Sequence, residues 1–265
     1  MIKTDKIRKR QARVFYVLDY LWGGFASLAV AAVLLALWDW GSVAFGEFML
    51  PAPLEVLRRA WEVILQAQGN GLDVSIWRML AGIGASLLLG TLFGLIAGRF
   101  ETVMAVLKPL MTILLAMPPI IWVVMALFWF GFGHRSVLFT IIVIVAPLTF
   151  ASAAQGMASV SKQSEELFDA YKTGLLKKVR YLYLPHLTGY MIASVSVAVA
   201  MGVKVVIMAE LLGANDGVGA QIADARAMLE TATVMAYVVL VIACVSLFEY
   251  LIIKPLEILF MPWRR

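Results

Sequence analysis

Six apolar stretches, near residues 21–45, 75–98, 104–130, 136–157, 188–212 and 233–258, dominate the chain. Each is long enough to cross a hydrocarbon core, which at about 30 Å needs roughly 20 helical residues. Backbone amides cannot stay unpaired in lipid, so runs of this length fold as helices. The expected class is therefore all-α: a polytopic membrane protein with six transmembrane helices. Composition agrees, because 62% of the 265 residues are hydrophobic and only 15% charged, well away from an ordinary soluble domain. The spans occupy residues 21–258, between a basic segment at 1–20 and a short tail at 259–265.

An even number of spans puts both termini on one side. Segments on that side hold sixteen Lys and Arg residues, six of them before the first span (Lys3, Lys6, Arg8, Lys9, Arg10 and Arg13), whereas the opposite segments hold five: Arg58, Arg59, Arg78, Arg135 and Arg226. The positive-inside rule then makes both termini cytoplasmic. The first stretch exceeds the 7–15 apolar residues usual in a signal peptide and ends in Trp38 and Trp40, so it reads as an uncleaved span. With its basic residues beside spans, the net charge of +5 meets anionic lipid rather than nucleic acid. After the first span, Pro51 and Pro53 introduce Leu54, Leu57, Trp61 and Leu65 at helical spacing, as in a short amphipathic helix at the outer surface.

Inside the spans, Gly82, Ser86, Gly90, Gly94 and Gly98 recur at steps of four. Such a row lets another helix approach closely, because attraction in lipid comes from backbone-near packing; the partner is either a helix of this chain or a second subunit. Pro118 and Pro119 interrupt the third span, making either a structural kink or a bend that lines a pathway. Lys204 and Glu210 lie in the fifth span, where a charge costs a few kcal/mol or more and so faces protein or water. They are about 600° apart in rotation and make a poor direct pair. Lys204 could attract an anion, pair with another helix or snorkel. Pro118, Lys204 and Glu210 are the candidates for a translocation path.

Catalytic and metal chemistry are not indicated. Cys244 is the single cysteine, and His134 and His186 adjoin opposite membrane faces with no ligand cluster beside them. No G-x-x-x-x-G-K-[ST] cradle for phosphate occurs, and the nucleophile elbow suggested by Gly84-Ala85-Ser86 fails at Leu88. The chain is expected not to be an enzyme and to bind no cofactor or metal.

The longest polar interval between spans, 158–187, carries one apolar face marked by Leu167, Phe168, Tyr171, Leu175, Val179 and Leu182. Glu165, Glu166, Asp169, Lys172, Lys177 and Lys178 occupy the others, acids leading and bases following as a helix dipole favours. Gly174 permits a break, and Pro185 is expected to close the segment before the fifth span. An exposed apolar stripe of this kind rests on lipid, on its own bundle or in another protein's groove.

This interval resembles the EAA loop in the membrane subunits of binding-protein-dependent ABC importers, whose pattern runs Glu-Ala-Ala, three residues, Gly, nine residues, Ile, one residue, Leu-Pro. Anchoring on Leu184 and Pro185 puts Glu166 on the glutamate and Leu182 on the isoleucine; Leu167 and Phe168 replace the alanines and Lys172 the glycine. Sliding Gly174 into register would require a two-residue deletion. Pro51, Pro53 and Glu55 resemble the family's P-x-P-x-E segment, FWFGFG at 128–133 its W-F-G-x-G signature, and Ala209-Glu210 its late A-E pair. The nitrate/sulfonate/taurine-type branch fits best.

The resemblance implies the type I importer fold in a bacterial-type cytoplasmic (inner) membrane, and an ATPase-coupling role for Glu165, Glu166, Leu167, Phe168, Asp169, Tyr171, Lys172, Gly174, Leu182, Leu184 and Pro185. It also implies the partners: a second permease subunit, with a homodimer favoured; two ATP-binding subunits that hold ATP and Mg; and an extracytoplasmic substrate-binding protein. For Glu210 it implies a structural or gating role. The solute would be a small organic or inorganic anion. The competing reading is an ion-coupled secondary transporter, which would show paired inverted halves and need no ATPase.

Overall fold

The computed structural model describes residues 13–66, 69–253 and 255. Most of the basic N-terminal segment and the whole of the 259–265 tail, with Lys254, Arg264 and Arg265, lie outside the described residues. Among those described, every regular element is a helix.

The chain up to Arg58 forms one compact unit and the chain from Arg59 onward another. The first contains α1 (Arg13–Phe45) and the opening of α2 (Pro53–Leu65). Its turn is tied back by Trp38, whose indole N–H donates to the Pro51 carbonyl at 3.0 Å. The apolar ridge of α2 is present but points outward: Leu54, Leu57, Trp61 and Leu65 are exposed, while Ala60 and Val63 are buried. A ridge left bare on a helix of mixed polarity suits the water–lipid boundary.

The second unit is built around α3 (Leu72–Arg99), α6 (His134–Ala158) and α9 (Leu184–Gly213). The small residues of α3 make its closest contact with α6. A Cβ at Gly90 would collide with Thr149 Oγ1, one at Gly94 would stand 2.6 Å from the Phe150 carbonyl, and one at Gly98 would stand 2.5 Å from that of Ala154. One turn before Gly90, Ser86 is fully buried, and its carbonyl accepts from Thr149 Oγ1 at 2.9 Å. The row therefore faces a helix of this same chain. Ile83, Ile141, Ile144, Val205 and Val206 form the dry centre of the three-helix contact.

The third apolar stretch is two helices, α4 (Glu101–Ala116) and α5 (Pro119–Phe130), set at 96°. Neither Pro118 nor Pro119 offers an amide to the preceding turn, so the ladder stops and restarts with Pro119 at the head of α5. The expected single crossing is thus a sharply broken one. After α6 come α7 (Lys162–Ala170), α8 (Leu175–Lys178) and a π-helical turn over Val179–Tyr183. The expectation that Pro185 ends this segment is corrected: helix runs unbroken from Leu175 to Gly213. The π turn explains this, because the Leu184 amide bonds five residues back to the Val179 carbonyl and helical structure shifts register where proline could not donate.

A helix that the hydropathy pattern does not announce, α10 (Val218–Ala227), precedes α11 (Thr231–Phe248). Val218 and Ile222 of α10 pack with Val63 and with Tyr237 of α11. By length and apolarity, α3, α6, the Leu175–Gly213 rod and Thr231–Leu251 can each cross a membrane, α4 and α5 together form a bent fifth candidate, and Ala29–Phe45 is a shorter apolar helix. Large apolar side chains such as Leu88, Val106 and Phe128 are exposed, the pattern of a surface bathed in lipid.

Candidate functional site

Two polar constructions occupy opposite ends of the bundle. At one end meet the start of α3, the start of α6 and the end of α9. Arg78 lies two turns into α3 and Glu210 in the last turn of α9, both fully buried. Arg78 Nη1 donates to Glu210 Oε1 at 2.9 Å and to the Asp216 carbonyl at 2.8 Å; Nη2 pairs with Asp216 Oδ1, and Nε donates to His134 Nδ1 at 3.0 Å. His134 is therefore an acceptor at Nδ1, and Trp77 meets its ring edge-on. The second Glu210 oxygen accepts from Ser75 Oγ at 2.6 Å and from the Gly219 amide at 3.0 Å, while Ser75 Oγ accepts from the Val218 amide at 2.8 Å. Both carboxylate oxygens are thus committed.

The loop after α9 is shaped to seat this pair. A Cβ on Gly217 would stand 2.5 Å from the Glu210 carboxylate, and that residue's φ of +100° lies where side chains are strained. Gly219 is equally closed, its Cβ position 2.5 Å from Glu210 Cβ and from the Ile207 carbonyl. Charge counting along the sequence assigned Arg78 to an outer segment and missed it as Glu210's partner. Its place two turns inside an apolar helix was the available signal, since a buried guanidinium requires an acid. Of the three path candidates, Glu210 is enclosed in this cluster, Lys204 is exposed on α9, and Pro118 is exposed at the head of α5.

The other end holds the loop between α6 and α9. Ser161 caps α7 through the Ser164 amide. Glu165 accepts from the Tyr183 hydroxyl at 2.8 Å and stands 3.9 Å from Arg99 at the end of α3. Asp169 receives both bonds of a bidentate contact from Lys178 Nζ, at 2.8 and 2.9 Å, and Lys178 is buried beneath it. These ties fold α7 back onto α8 and the π turn. The apolar stripe divides in consequence. Phe168 and Leu182 are half-buried, whereas Leu167, Tyr171, Leu175 and Val179 are exposed, joined by Leu176 at 83%. Glu166, Lys172, Gly174, Leu184 and Pro185 are exposed too.

The turn between α7 and α8 bears on the motif register. Lys172, at the position of the motif's glycine when Glu166 is aligned without a gap, has φ +49°, in the left-handed region that glycine favours. Gly174, the glycine reached only by a deletion, has an ordinary φ of −65°. Beside the loop, an apolar cavity of 640 Å³ is lined by Thr91 and Leu95 of α3, Met157 of α6, Val179 and Tyr183 of the π turn, and Met191 of α9. Its wall therefore includes the residues through which the loop joins α9.

Comparison with known proteins places the chain among transport proteins of the membrane. The profile of the family described as binding-protein-dependent transport system inner membrane component matches residues 90–253. The formylaminopyrimidine transport permease protein ThiX of Halalkalibacterium halodurans is 25% identical over 237 residues, 88% of this chain and 93% of ThiX. The taurine transport system permease protein TauC of Escherichia coli is 26% identical over 249 residues, 89% of each chain. The nitrate import permease protein NrtB of Synechococcus elongatus is 24% identical over 204 residues, 73% of each chain. Among solved structures, a chain of the MetNI methionine ABC transporter in an inward-facing conformation superposes with a TM-score of 0.53 at 19% identity, covering 78% of this chain and 98% of that one.

Proposed function

Because the chain belongs to the binding-protein-dependent transport system inner membrane components, ABC importer permeases of the type I fold, we propose that it forms, with a second copy of itself, the path by which a small solute enters the cell. Two ATP-binding subunits would hold ATP and Mg on the cytoplasmic side, where both termini also lie, and an extracytoplasmic protein would deliver the solute. The chain's own work is to bind, gate and transmit; no residue of it cleaves ATP.

The observation that carries this reading is the unfinished surface of the loop. Leu167, Tyr171, Leu175 and Leu176 stand exposed on a segment braced by Lys178–Asp169 and Tyr183–Glu165. A braced helix with bare apolar side chains is suited to a groove in a partner, where apolar burial supplies affinity and flanking charge fixes orientation. Closure of the ATPase would then push on α7, and through Tyr183 and the π turn on the cavity between α3, α6 and α9.

Deleting residues 164–178 tests the docking. Co-purification with the ATP-binding subunit should be lost while the bundle remains inserted, and binding that survives the deletion refutes the coupling role. In vesicles, uptake should require ATP on the ATPase side and persist when ion gradients are collapsed. Uptake abolished by an uncoupler with ATP still present would favour the secondary transporter instead.

A further inference from the structure

We infer that Lys204 is the residue of the translocation path that selects for charge, offering its ammonium to the compact oxyanion group, a sulfonate, nitrate or carboxylate, of the passing solute. This rests on the reading of the chain as a path-forming permease and adds to it the group that recognises the solute's charge.

Three ordinary fates of an intramembrane lysine fail here. Pairing with Glu210, the acid of the same helix, is closed off, because one oxygen of that carboxylate is held by Arg78 and the other by Ser75 and the Gly219 amide. No other acid among the described residues pairs with Lys204. Snorkelling along the helix fails on distance. Lys204 is nine residues, about 14 Å, from the end of α9 at Gly213 and twenty residues, about 30 Å, from its start at Leu184. Helical side chains lean toward the N-terminus, so the four-carbon stem points away from the nearer end. Burial within the chain fails as well, since the side chain is exposed.

What remains is water, a ligand or the facing surface of the second copy with which the path is formed, because a bare ammonium at that depth does not face lipid. The surrounding face supports this. Ala193, Val197 and Ala200 are exposed at steps of three and four that continue to Lys204, so they share its side of α9. This face bears small apolar side chains with one cation at its end. It presents a single polar handle, with no competing acceptor among its members. The Arg78 cluster nearer the end of the helix is internally satisfied and leaves Lys204 as the uncommitted positive charge of α9.

The test uses the full complex of permease, ATP-binding subunits and delivery protein in proteoliposomes, with nitrate, ethanesulfonate and formylaminopyrimidine as probes. Wild type should import an anionic probe. Lys204→Met should lower that import about tenfold or more, the scale of losing one charge-assisted contact, with ATP hydrolysis held within twofold, and Lys204→Arg should retain import. Unchanged anion import in Lys204→Met, or a wild-type complex that imports the uncharged probe and neither anion, overturns the inference. Import of the probes that needs no ATP and stops when ion gradients are collapsed would strike the importer reading, and a second measurement judges Lys204 in that case. With Cys244→Ser as background, Lys204→Cys should react with a membrane-impermeant, sulfonate-bearing thiol reagent. Reaction only with a lipid-soluble maleimide places the side chain in lipid and overturns the inference regardless of import.

Discussion

The two ends of the bundle treat their polar groups in opposite ways. Around Arg78 and Glu210, residues from α3, α6, α9 and the loop beyond α9 satisfy one another until both charges have no exposure left. Around α7 and α8, a few ion pairs brace the backbone while Tyr171, Leu175 and Leu176 are left bare at 75–83% exposure. One end is completed by the chain itself, whereas the other leaves apolar side chains uncovered. Variants at the first should therefore be read in the stability of the permease, and variants at the second in its associations.

The sharpest way to break this contrast is to leave one buried charge without its mate. Arg78→Met strands Glu210, whereas Glu210→Gln leaves Arg78 with the half-exposed Asp216 carboxylate as its remaining acid. The first should lower stability by about 3–5 kcal/mol, the usual consequence of opening a buried ion pair, and the second by less, both seen as loss of folded protein in detergent thermal melts. Replacing both, Arg78→Met with Glu210→Met, should restore much of the loss, because no uncompensated charge remains. A single variant as stable as wild type would mean that the cluster is a site for something else and not a closed structural tie.

How far the sequence foretold this architecture differs between the two ends. Spans are legible because hydropathy and length suffice to define them, and Pro118-Pro119 marks the break in the third, although an angle of 96° depends on packing that no local pattern encodes. The glycine row of α3 announced a close helix contact without naming α6, since spacing describes one surface only. Arg78 and Glu210 are 132 residues apart, and counting charges by loop placed the arginine in a tally for orientation. Helix α10 escaped notice because VGAQIADARA is short, has glycine in its first turn and shows little apolar periodicity. In the loop, the stripe from Leu167 to Leu182 was visible as a pattern, but a periodicity argument presumes one unbroken helix. The turn at Lys172 and the π turn at Val179–Tyr183 each reset the phase, so Phe168 and Leu182 turn inward while Leu176, outside the expected stripe, turns out.

A second variant probes the bare end. Leu175→Glu combined with Leu176→Glu adds charge where there is no packing to disturb, so the stability of the isolated permease should move by no more than about 0.5 kcal/mol. Affinity for the ATP-binding subunit should fall by about 2 kcal/mol or more if these side chains are the anchors of the contact, roughly thirtyfold in a pull-down titration. If the variant instead destabilises the permease and leaves partner binding intact, the surface belongs to the bundle and the contrast between the two ends disappears.

The smallest effect falls on the turn that separates α7 from α8. Lys172 holds φ +49° with its side chain exposed, and a non-glycine residue there gives up about 1 kcal/mol relative to glycine. Against this, glycine loses more backbone freedom on folding, by roughly 0.5–1 kcal/mol. The two terms nearly cancel for the isolated chain, so Lys172→Gly should shift a melting curve little. Lys172→Val should do worse, because a β-branched side chain fits the left-handed region least well. The comparison with Gly174 supplies the discriminating measurement. Gly174→Ala, at an ordinary φ of −65° and with open space around its Cβ position, should be tolerated in both stability and ATPase coupling. If Gly174→Ala uncouples ATP hydrolysis from transport while Lys172→Val does not, the required glycine of the loop is at 174, and the gapless register that puts Glu166 on the motif's glutamate is wrong.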